Sequence, residues 1–163
     1  MATNLASLQA RVATLLVDAA GVNFPAAQLE ESLRLALGEY NLRLGPQGQA
    51  PVTLDGLDGA TGTTLPVQHE SMLVVGAAAY AVTGRTVSRA ENYDLNQSLP
   101  QQLLDWALER LNDFRKMIDG IIRDAELARK SELHNAANPP WPTATTADNT
   151  SAWKLDEHDG EEL

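Results

Sequence analysis

The sequence predicts an all-α fold, a small helical bundle with a long C-terminal helix and an extended C-terminal tail. Two observations carry this prediction. Apolar residues make up 44% of the chain but aromatic residues only 5%, so Ala, Leu and Val dominate the apolar share, and Ala and Leu are the strongest helix formers. Four segments also repeat apolar residues at spacings of three and four, the period of an amphipathic helix.

The length of 163 residues fits one domain with appendages. The helical periods fall in the first part of the chain, and the last part is rich in polar residues and proline. We therefore predict a helical bundle domain at residues 1–134 and an extended, acidic tail rich in Pro, Thr and Trp at residues 135–163.

The first two helices are amphipathic. The first is expected over the segment NLASLQARVATLLVDA, with Asn4 as its N-cap and Gly21 as its stop signal. The second begins near Pro25, which suits a first helical turn, with Asn23 as its cap. Gly45 marks the end of the second helix. Each helix is expected to bury one apolar face.

Residues 46–66 interrupt the helical period. This segment is rich in glycine and proline, and its short stretches PVTL and TTLP flank the turn signal DGLDG. Such stretches pair as a short β-hairpin or form an irregular loop. The sequence leaves both alternatives open.

The third helix, VQHESMLVVGAAAYAVTGR, is apolar on nearly all sides. A helix of this kind is buried on more than one side, and at about 12 apolar residues it is too short to span a bilayer. Its small side chains allow close backbone approach, so we predict contacts within the bundle or between subunits. The predicted packing residues are Gly76, Ala77, Ala78, Ala79 and Tyr80. The polar residues 83–97 are expected to form a loop.

The fourth helix opens at Ser98, which forms a capping-box pattern with Gln101, and Pro100 lies in its first turn. The helical period then continues to about Glu132. Some 34 residues at about 1.5 Å per residue give a rod of about 50 Å. The usual helix has about 11–12 residues, so this one is unusually long.

The tail carries six carboxylates and one lysine, which is −5 of the total charge of −10, and it holds two of the three tryptophans. A segment this polar buries too little apolar surface to fold alone. On a partner, however, a few tryptophans dominate the binding energy of an interface, and prolines reduce the entropy lost on docking. The predicted partner-binding residues are Trp141, Trp153 and Leu155, with Pro139, Pro140 and Pro142 as stiffening residues.

Signals of catalysis and metal binding are weak. The absence of cysteine excludes thiolate metal sites and thiol nucleophiles. The three histidines form no HExxH pair, the glycine-rich GATGTTL lacks the lysine of a phosphate-binding loop, and the acidic DEHDGEE lacks EF-hand spacing. We therefore predict no catalytic residue, no metal, no cofactor and no enzymatic activity.

Membrane and nucleic-acid partners are also disfavoured. No apolar run reaches the roughly 18 residues needed for a bilayer span, and the N-terminus is expected to be the start of a mature helix instead of a signal peptide. A net charge of −10 does not favour binding of a phosphate backbone, which requires clustered Lys and Arg.

Four elements in order resemble the head–tail connector, or adaptor, proteins of tailed bacteriophages. They are a short amphipathic helix, a helix opened by NFPAAQLEESLRLALGEYN, an Ala-rich helix entered through LPVQHESMLVVGAAAYAVTGR, and the long helix LLDWALERLNDFRKMIDGIIRDA. The resemblance covers roughly residues 5 to 130 and lies in helix order and texture, whereas the tail matches no signature of the family.

The resemblance implies a structural virion protein in the phage neck, assembled in the bacterial host cytoplasm. It implies a homo-oligomeric ring, commonly of twelve, that binds beneath the portal protein and above a downstream neck or tail protein. Double-stranded DNA passes through the ring channel without specific binding. Two other classes compete: a non-viral helical binding or regulatory protein that recruits a partner through its acidic Trp-containing tail, and an enzyme of unrecognised type, which a deep polar pocket would favour.

Overall fold

A computed structural model describes residues 3–90 and 98–137, with side chains described in 3–86 and 101–132. It contains four helices, α1 (Leu5–Leu15), α2 (Ala26–Leu44), α3 (Glu70–Ala90) and α4 (Ser98–Ala137), and two short 3-10 turns, Gly45–Gln47 and Val67–His69. No strand occurs in the part of the chain so described. The predicted all-α fold is therefore confirmed.

The chain divides into two units after Arg123, and the first unit holds the core. Helices α2 and α3 pack against each other most extensively, and α1 lies against both. The first part of α4 adds four buried side chains to the same core, namely Ala107, Leu111, Phe114 and Ile118. The largest fully buried side chains include Tyr40, Phe114, Leu33 and Leu73.

Helix α1 begins as predicted and ends earlier. The Asn4 side chain accepts a hydrogen bond from the Ser7 backbone, and Ser7 accepts one from the Asn4 backbone, which completes a capping box. The helix then ends at Leu15. The prediction of a stop at Gly21 was wrong because another residue, Val17, takes the left-handed backbone conformation that ends the helix.

Helix α2 starts one residue after Pro25, which occupies the N-cap position without a side-chain hydrogen bond. Asn23 does not cap this helix, contrary to prediction. Its side-chain oxygen, the acceptor that a cap needs, accepts from Arg85 at 2.6 Å, and its backbone N–H donates to the carboxylate of Asp18 at 2.8 Å. The helix ends at Leu44, and Gly45 follows as the C-cap, as predicted.

The loop between α2 and α3 follows the path of a hairpin without forming strands, so the irregular loop is the alternative that occurs. Two backbone bonds cross the loop, from Thr64 N–H to the Thr53 carbonyl and from Gly56 N–H to the Ala60 carbonyl, each at 3.0 Å. Threonine hydroxyls replace the rest of the ladder, since Thr53 N–H donates to Thr64 Oγ1 and Asp55 N–H donates to Thr63 Oγ1.

Helix α3 continues to Ala90, so the predicted loop over 83–97 is wrong as far as that residue. The hydroxyls of Thr83 and Thr86 donate to the carbonyls of Ala79 and Val82, one turn earlier. The polar side chains are thus satisfied within the helix.

Helix α4 has 40 residues, which at about 1.5 Å per residue is about 60 Å. It passes the predicted end near Glu132. No side chain from Arg123 to Glu132 is buried, and Leu127 is 57% exposed. The predicted domain boundary at 134/135 lies just before the end of this helix and remains a prediction.

Candidate functional site

The predicted partner-binding residues of the tail lie outside the described residues. These are Pro139, Pro140, Trp141, Pro142, Trp153 and Leu155. Their docking on another chain therefore stays a prediction, and the site is built below from the helical unit alone.

The small-residue segment of α3 lies at the centre of the unit. Ala77, Ala78 and Ala79 are fully buried. Gly76 faces Phe114 of α4 so closely that a Cβ atom there would lie 2.9 Å from the ring. The close approach of α3 and α4 thus requires glycine at this position.

The carboxylate of Glu39 in α2 links three helices by hydrogen bonds. It accepts hydrogen bonds from the Tyr80 hydroxyl of α3 at 2.5 Å, from Arg115 Nε of α4 at 2.7 Å and from Arg43 Nε at 3.2 Å. Arg43 also donates to Asp119 of α4 at 3.0 Å. These bonds fix how α4 lies on the α2–α3 pair.

The titration of this cluster follows from its contacts. Burial by itself favours the neutral form of Glu39, but the hydrogen bonds from Tyr80 and Arg115 outweigh it and lower the pKa of the carboxyl. Burial and the bond to Glu39 raise the pKa of Tyr80 to about 12. The hydrogen bond to Glu39 also raises the pKa of Arg115. At neutral pH the tyrosine is therefore a stable donor.

A second polar contact joins α2 to the turn before α3. The Tyr40 hydroxyl lies 2.8 Å from Nδ1 of His69. Burial lowers the pKa of His69 and raises the pKa of Tyr40. Both groups are therefore neutral at pH 7, and the tautomer of His69 decides which of the two atoms donates the hydrogen bond.

A groove of about 470 Å³ lies between α2 and the loop 52–60. We call it the α2 groove. Gly38 and Leu37 line its α2 side, and Val52, Leu57 and Ala60 line its loop side. Two hydrogen bonds between Asn41 and the Val52 backbone hold the loop to the helix.

The rim of the α2 groove is acidic. Arg34 donates to Asp58 at 2.7 Å and to Glu30 at 3.0 Å, and it also pairs with Glu31. The bond to Asp58 is the largest cause that raises the pKa of Arg34. One cation among three carboxylates leaves a formal charge of about −2 at the rim, which does not favour an anionic ligand.

The loop after α1 has a strained backbone. Asp18 N–H donates to the Ala13 carbonyl at 2.8 Å and Val17 N–H to the Thr14 carbonyl at 3.1 Å. This is the hydrogen-bond pattern of a Schellman motif, in which the position of Val17 is normally glycine. Val17 adopts φ 55° instead. A β-branched residue in this region is a true outlier.

Asp18 holds this loop in place. Its buried carboxylate accepts the backbone N–H groups of Val22 at 3.1 Å, Asn23 at 2.8 Å and Phe24 at 2.6 Å. Three apolar side chains at the end of α1 and in this loop nevertheless face solvent, with exposed fractions of 44% for Leu15, 92% for Val17 and 81% for Val22. We call these three residues the α1 knob.

Metal and membrane signals are weak in the described residues. Within 3–90 and 98–137, no three His, Asp or Glu side chains gather in a way that could hold a metal ion. No helix in these ranges is long and apolar enough to cross a bilayer. The predictions of no catalytic residue and no cofactor remain predictions.

Sequence reasoning missed Asp18, Glu39 and Val17. The spacing of Glu39 and Arg43 is a recognisable ion-pair pattern on a helix, so part of that cluster could have been found. Asp18 and Val17 gave no such signal, because an acidic residue after a helix and an isolated valine are both common.

Comparisons of the chain with protein families, with curated proteins and with solved structures find no match. Any functional conclusion therefore depends on the residues and geometry described above.

Proposed function

We propose that the chain is the subunit of a bacteriophage head–tail connector, a structural ring in the virion neck that binds beneath the portal and lines the DNA channel. The proposal starts from the resemblance in helix order and texture. The observation that carries it further is the length of α4, because 40 residues exceed what the core uses.

Among the side chains of α4 that the structure describes, 101–132, only those from Ala107 to Ile118 are buried in the core. The stretch from Arg123 to Glu132 has no buried side chain, although it includes Leu127. In an isolated monomer such a helix gains little from tertiary packing, which supplies most helical stability in proteins. A neighbouring subunit or the portal would supply that packing.

The charge of the chain supports a channel through which DNA slides. The net charge is −10. Five arginines of the helical unit pair with carboxylates, namely Arg11, Arg34, Arg43, Arg110 and Arg115. Few of the described cations are therefore open to contact phosphates, so counterion release would contribute little to the free energy of DNA binding.

The tail supplies the contact with the portal in this proposal. Trp141 and Trp153 insert into apolar pockets of the portal, or of a neighbouring subunit, and Leu155 adds apolar area. Pro139, Pro140 and Pro142 lower the entropy lost on docking. The acidic end steers the tail towards a basic surface.

The proposal is tested by co-purification with the portal protein encoded in the same genome. The full chain should join the portal as a complex with about a dozen copies. A chain truncated after Asn138, and the Trp141→Ala/Trp153→Ala variant, should keep the helical circular dichroism of the full chain and lose most portal binding. Trp141→Phe/Trp153→Phe is the matched control and should retain part of the binding, because Phe also fills apolar pockets.

Normal attachment and normal ring formation by the truncated chain would contradict the role of the tail. A full chain that stays monomeric or dimeric and ignores the portal would favour a non-viral helical binding protein that recruits a different partner through its tail. In that case, capture experiments with the tail as bait are the next step.

A further inference from the structure

Three exposed cations lie in line on one face of α4. They are Lys116, Arg123 and Lys130, each seven residues from the next. Seven residues are almost two full turns of an α-helix, so each side chain is rotated by only about 20° from the one before it. Along the helix the three positions are spaced at about 10.5 Å and together span about 21 Å. We call these three residues the α4 basic stripe.

The α4 basic stripe has no partner within the residues that the structure describes, whereas five arginines of the helical unit are paired with carboxylates. Two carboxylates lie near the same face of α4. Asp119 is already bound to Arg43 at 3.0 Å, and Glu126 forms no ion pair with the stripe. Three cations and one unpaired carboxylate leave this face with a net charge of about +2, which is open to an acidic partner.

We propose that the α4 basic stripe binds the acidic end of the C-terminal tail, residues 156–162, of a second copy. This segment, DEHDGEE, carries five carboxylates and neither Lys nor Arg. No other stretch of seven residues in the chain has a net charge of this size. Opposite charges across an interface steer the encounter and fix the register. The inference rests on the proposed function and names the basic surface that receives the tail.

The length of the tail allows this contact. Eighteen residues, 138–155, separate the end of α4 at Ala137 from the acidic end. At about 3.3–3.6 Å per residue they extend to about 60 Å at most, whereas the axes of packed neighbouring helices lie only about 8–10 Å apart. Pro139, Pro140 and Pro142 favour an extended chain directly after α4. Such a chain opposes an immediate reversal onto the same helix, which favours the stripe of a neighbouring copy.

The tail is a better partner for the stripe than double-stranded DNA. Three cations spread over about 21 Å release few counterions from a phosphate backbone, and the net charge of −10 repels DNA. Exposed ion pairs are individually weak. A tail held on an adjacent subunit is present at a high effective concentration, however, so weak pairs are sufficient.

Crosslinking with a carbodiimide tests the contact, because this reagent forms an amide bond between a lysine amine and a carboxylate that touch. The chain has only three lysines, Lys116, Lys130 and Lys154, so every crosslink can be assigned. Equal amounts of nitrogen-15-labelled and unlabelled full chain are mixed at high concentration, alone and with the portal protein, and the crosslinked peptides are identified by mass spectrometry.

The expected products are mixed-isotope peptides that join Lys116 or Lys130 to residues 156–162. Absence of these peptides from both samples would overturn the proposal. Crosslinks confined to chains of one isotope would assign the stripe to the tail of the same chain and would overturn the second copy as the partner.

A matched pair of variants tests the role of the stripe. Arg123→Glu leaves both reporter lysines in place and should lower the yield of these crosslinks about fivefold through loss of ion pairing. Arg129→Glu is the control, because Arg129 is also exposed on α4 but lies about 120° away from Arg123 around the helix. It should lower the yield less than about twofold. Equal yields from the two variants, with helical circular dichroism retained, would overturn the proposal.

DNA binding and portal binding separate the remaining outcomes. A labelled DNA duplex that binds the wild-type chain, but not the Arg123→Glu chain, would assign the stripe to DNA and overturn the tail contact. Portal rings that form normally without the crosslinks would overturn the contact and leave the proposed function in place. Crosslinks in a chain that does not join the portal would support the contact and contradict the connector.

Discussion

The contact between α3 and α4 at Gly76, called the junction below, and the loop around Val17 differ in how the residue fits its backbone and surroundings. At the junction, a glycine is required because a Cβ atom on Gly76 would lie 2.9 Å from the Phe114 ring, and the nearby side chains are buried. In the loop, a valine stands where glycine is expected and faces solvent. In the first region, the residue types match the packing within the chain. The second has a strained backbone and exposed apolar side chains, which is the pattern expected of a contact with another molecule.

The largest expected effect breaks the junction. Gly76→Leu should destabilise the fold by about 3 kcal/mol, the upper end of the range for overpacked cores, because the new side chain must displace Phe114. Ala78→Leu, at a fully buried position, should act in the same direction. Urea unfolding measures both.

Gly84→Leu is the matched control, because it lies in the same helix with no atom within 4 Å of an added Cβ. It should stabilise the chain by up to about 1 kcal/mol through helix propensity. Equal effects at Gly76 and Gly84 would mean that α3 and α4 do not pack closely.

The next largest effect is expected from a substitution that disrupts the loop after α1 and leaves the contact between α3 and α4 unchanged. Asp18→Ala removes the acceptor of three backbone N–H groups and should cost about 2–3 kcal/mol, because buried donors without partners are expensive. Asp18→Asn keeps one oxygen and should cost less. Hydrogen exchange should show faster exchange at Val22, Asn23 and Phe24 in the alanine variant. Unchanged protection of these three amides from exchange would contradict the role of Asp18 as their hydrogen-bond acceptor.

Glu39→Gln tests the ion pairs of Glu39 with Arg43 and Arg115, which link α2 to α4. The loss of charge-assisted bonds to Arg43 and Arg115 should cost about 1.5–2 kcal/mol at pH 7. The pKa of Glu39 is lower in the folded state than its ordinary value of 4.5. The unfolded chain therefore binds the proton first as pH falls, and the stability that the carboxylate supplies is lost below about pH 4.5.

The variant cannot titrate at this position, so its loss of stability on acidification should be smaller than that of the wild-type chain. Denaturant unfolding between pH 3 and pH 7 measures the difference. Identical pH profiles would show that Glu39 titrates alike in both states.

His69 gives the smallest expected effect. Burial lowers its pKa below the ordinary value of 6.5, so the unfolded chain takes up this proton first as pH falls below about 6.5. Stability should decline slightly in that window, and His69→Gln should remove the decline. An NMR titration of the imidazole with a pKa at or above 6.5 would contradict the buried, neutral histidine.

Periodicity was enough to predict the helices, since the spacing of apolar residues reflects which face is buried. The ends of α1 and α3 could not be predicted because they depend on single interactions. Val17 adopts the left-handed conformation that valine disfavours and so ends α1, and the side-chain oxygen of Asn23 that the cap prediction required accepts from Arg85 instead. Thr83 and Thr86 are tolerated inside α3 because their hydroxyls bond carbonyls one turn back, which composition alone does not reveal.

The exposed apolar side chains and the groove were less predictable for a physical reason. The α1 knob and the α2 groove arise from the fold, since Gly38 and Ala60 come together only when the loop docks on α2. Exposed valines are common in sequences and indicate nothing until their backbone and surroundings are known. The tail tryptophans remain a prediction from composition.

Electron cryomicroscopy of virions produced from the genome that encodes this chain tests the proposed connector function most directly. The account predicts a ring of about a dozen copies between the portal and the tail, with the helical unit described here fitted into each repeat and DNA in the channel. A neck reconstruction without density for the helical unit, together with mass spectrometry that fails to detect the chain in purified virions, would contradict it.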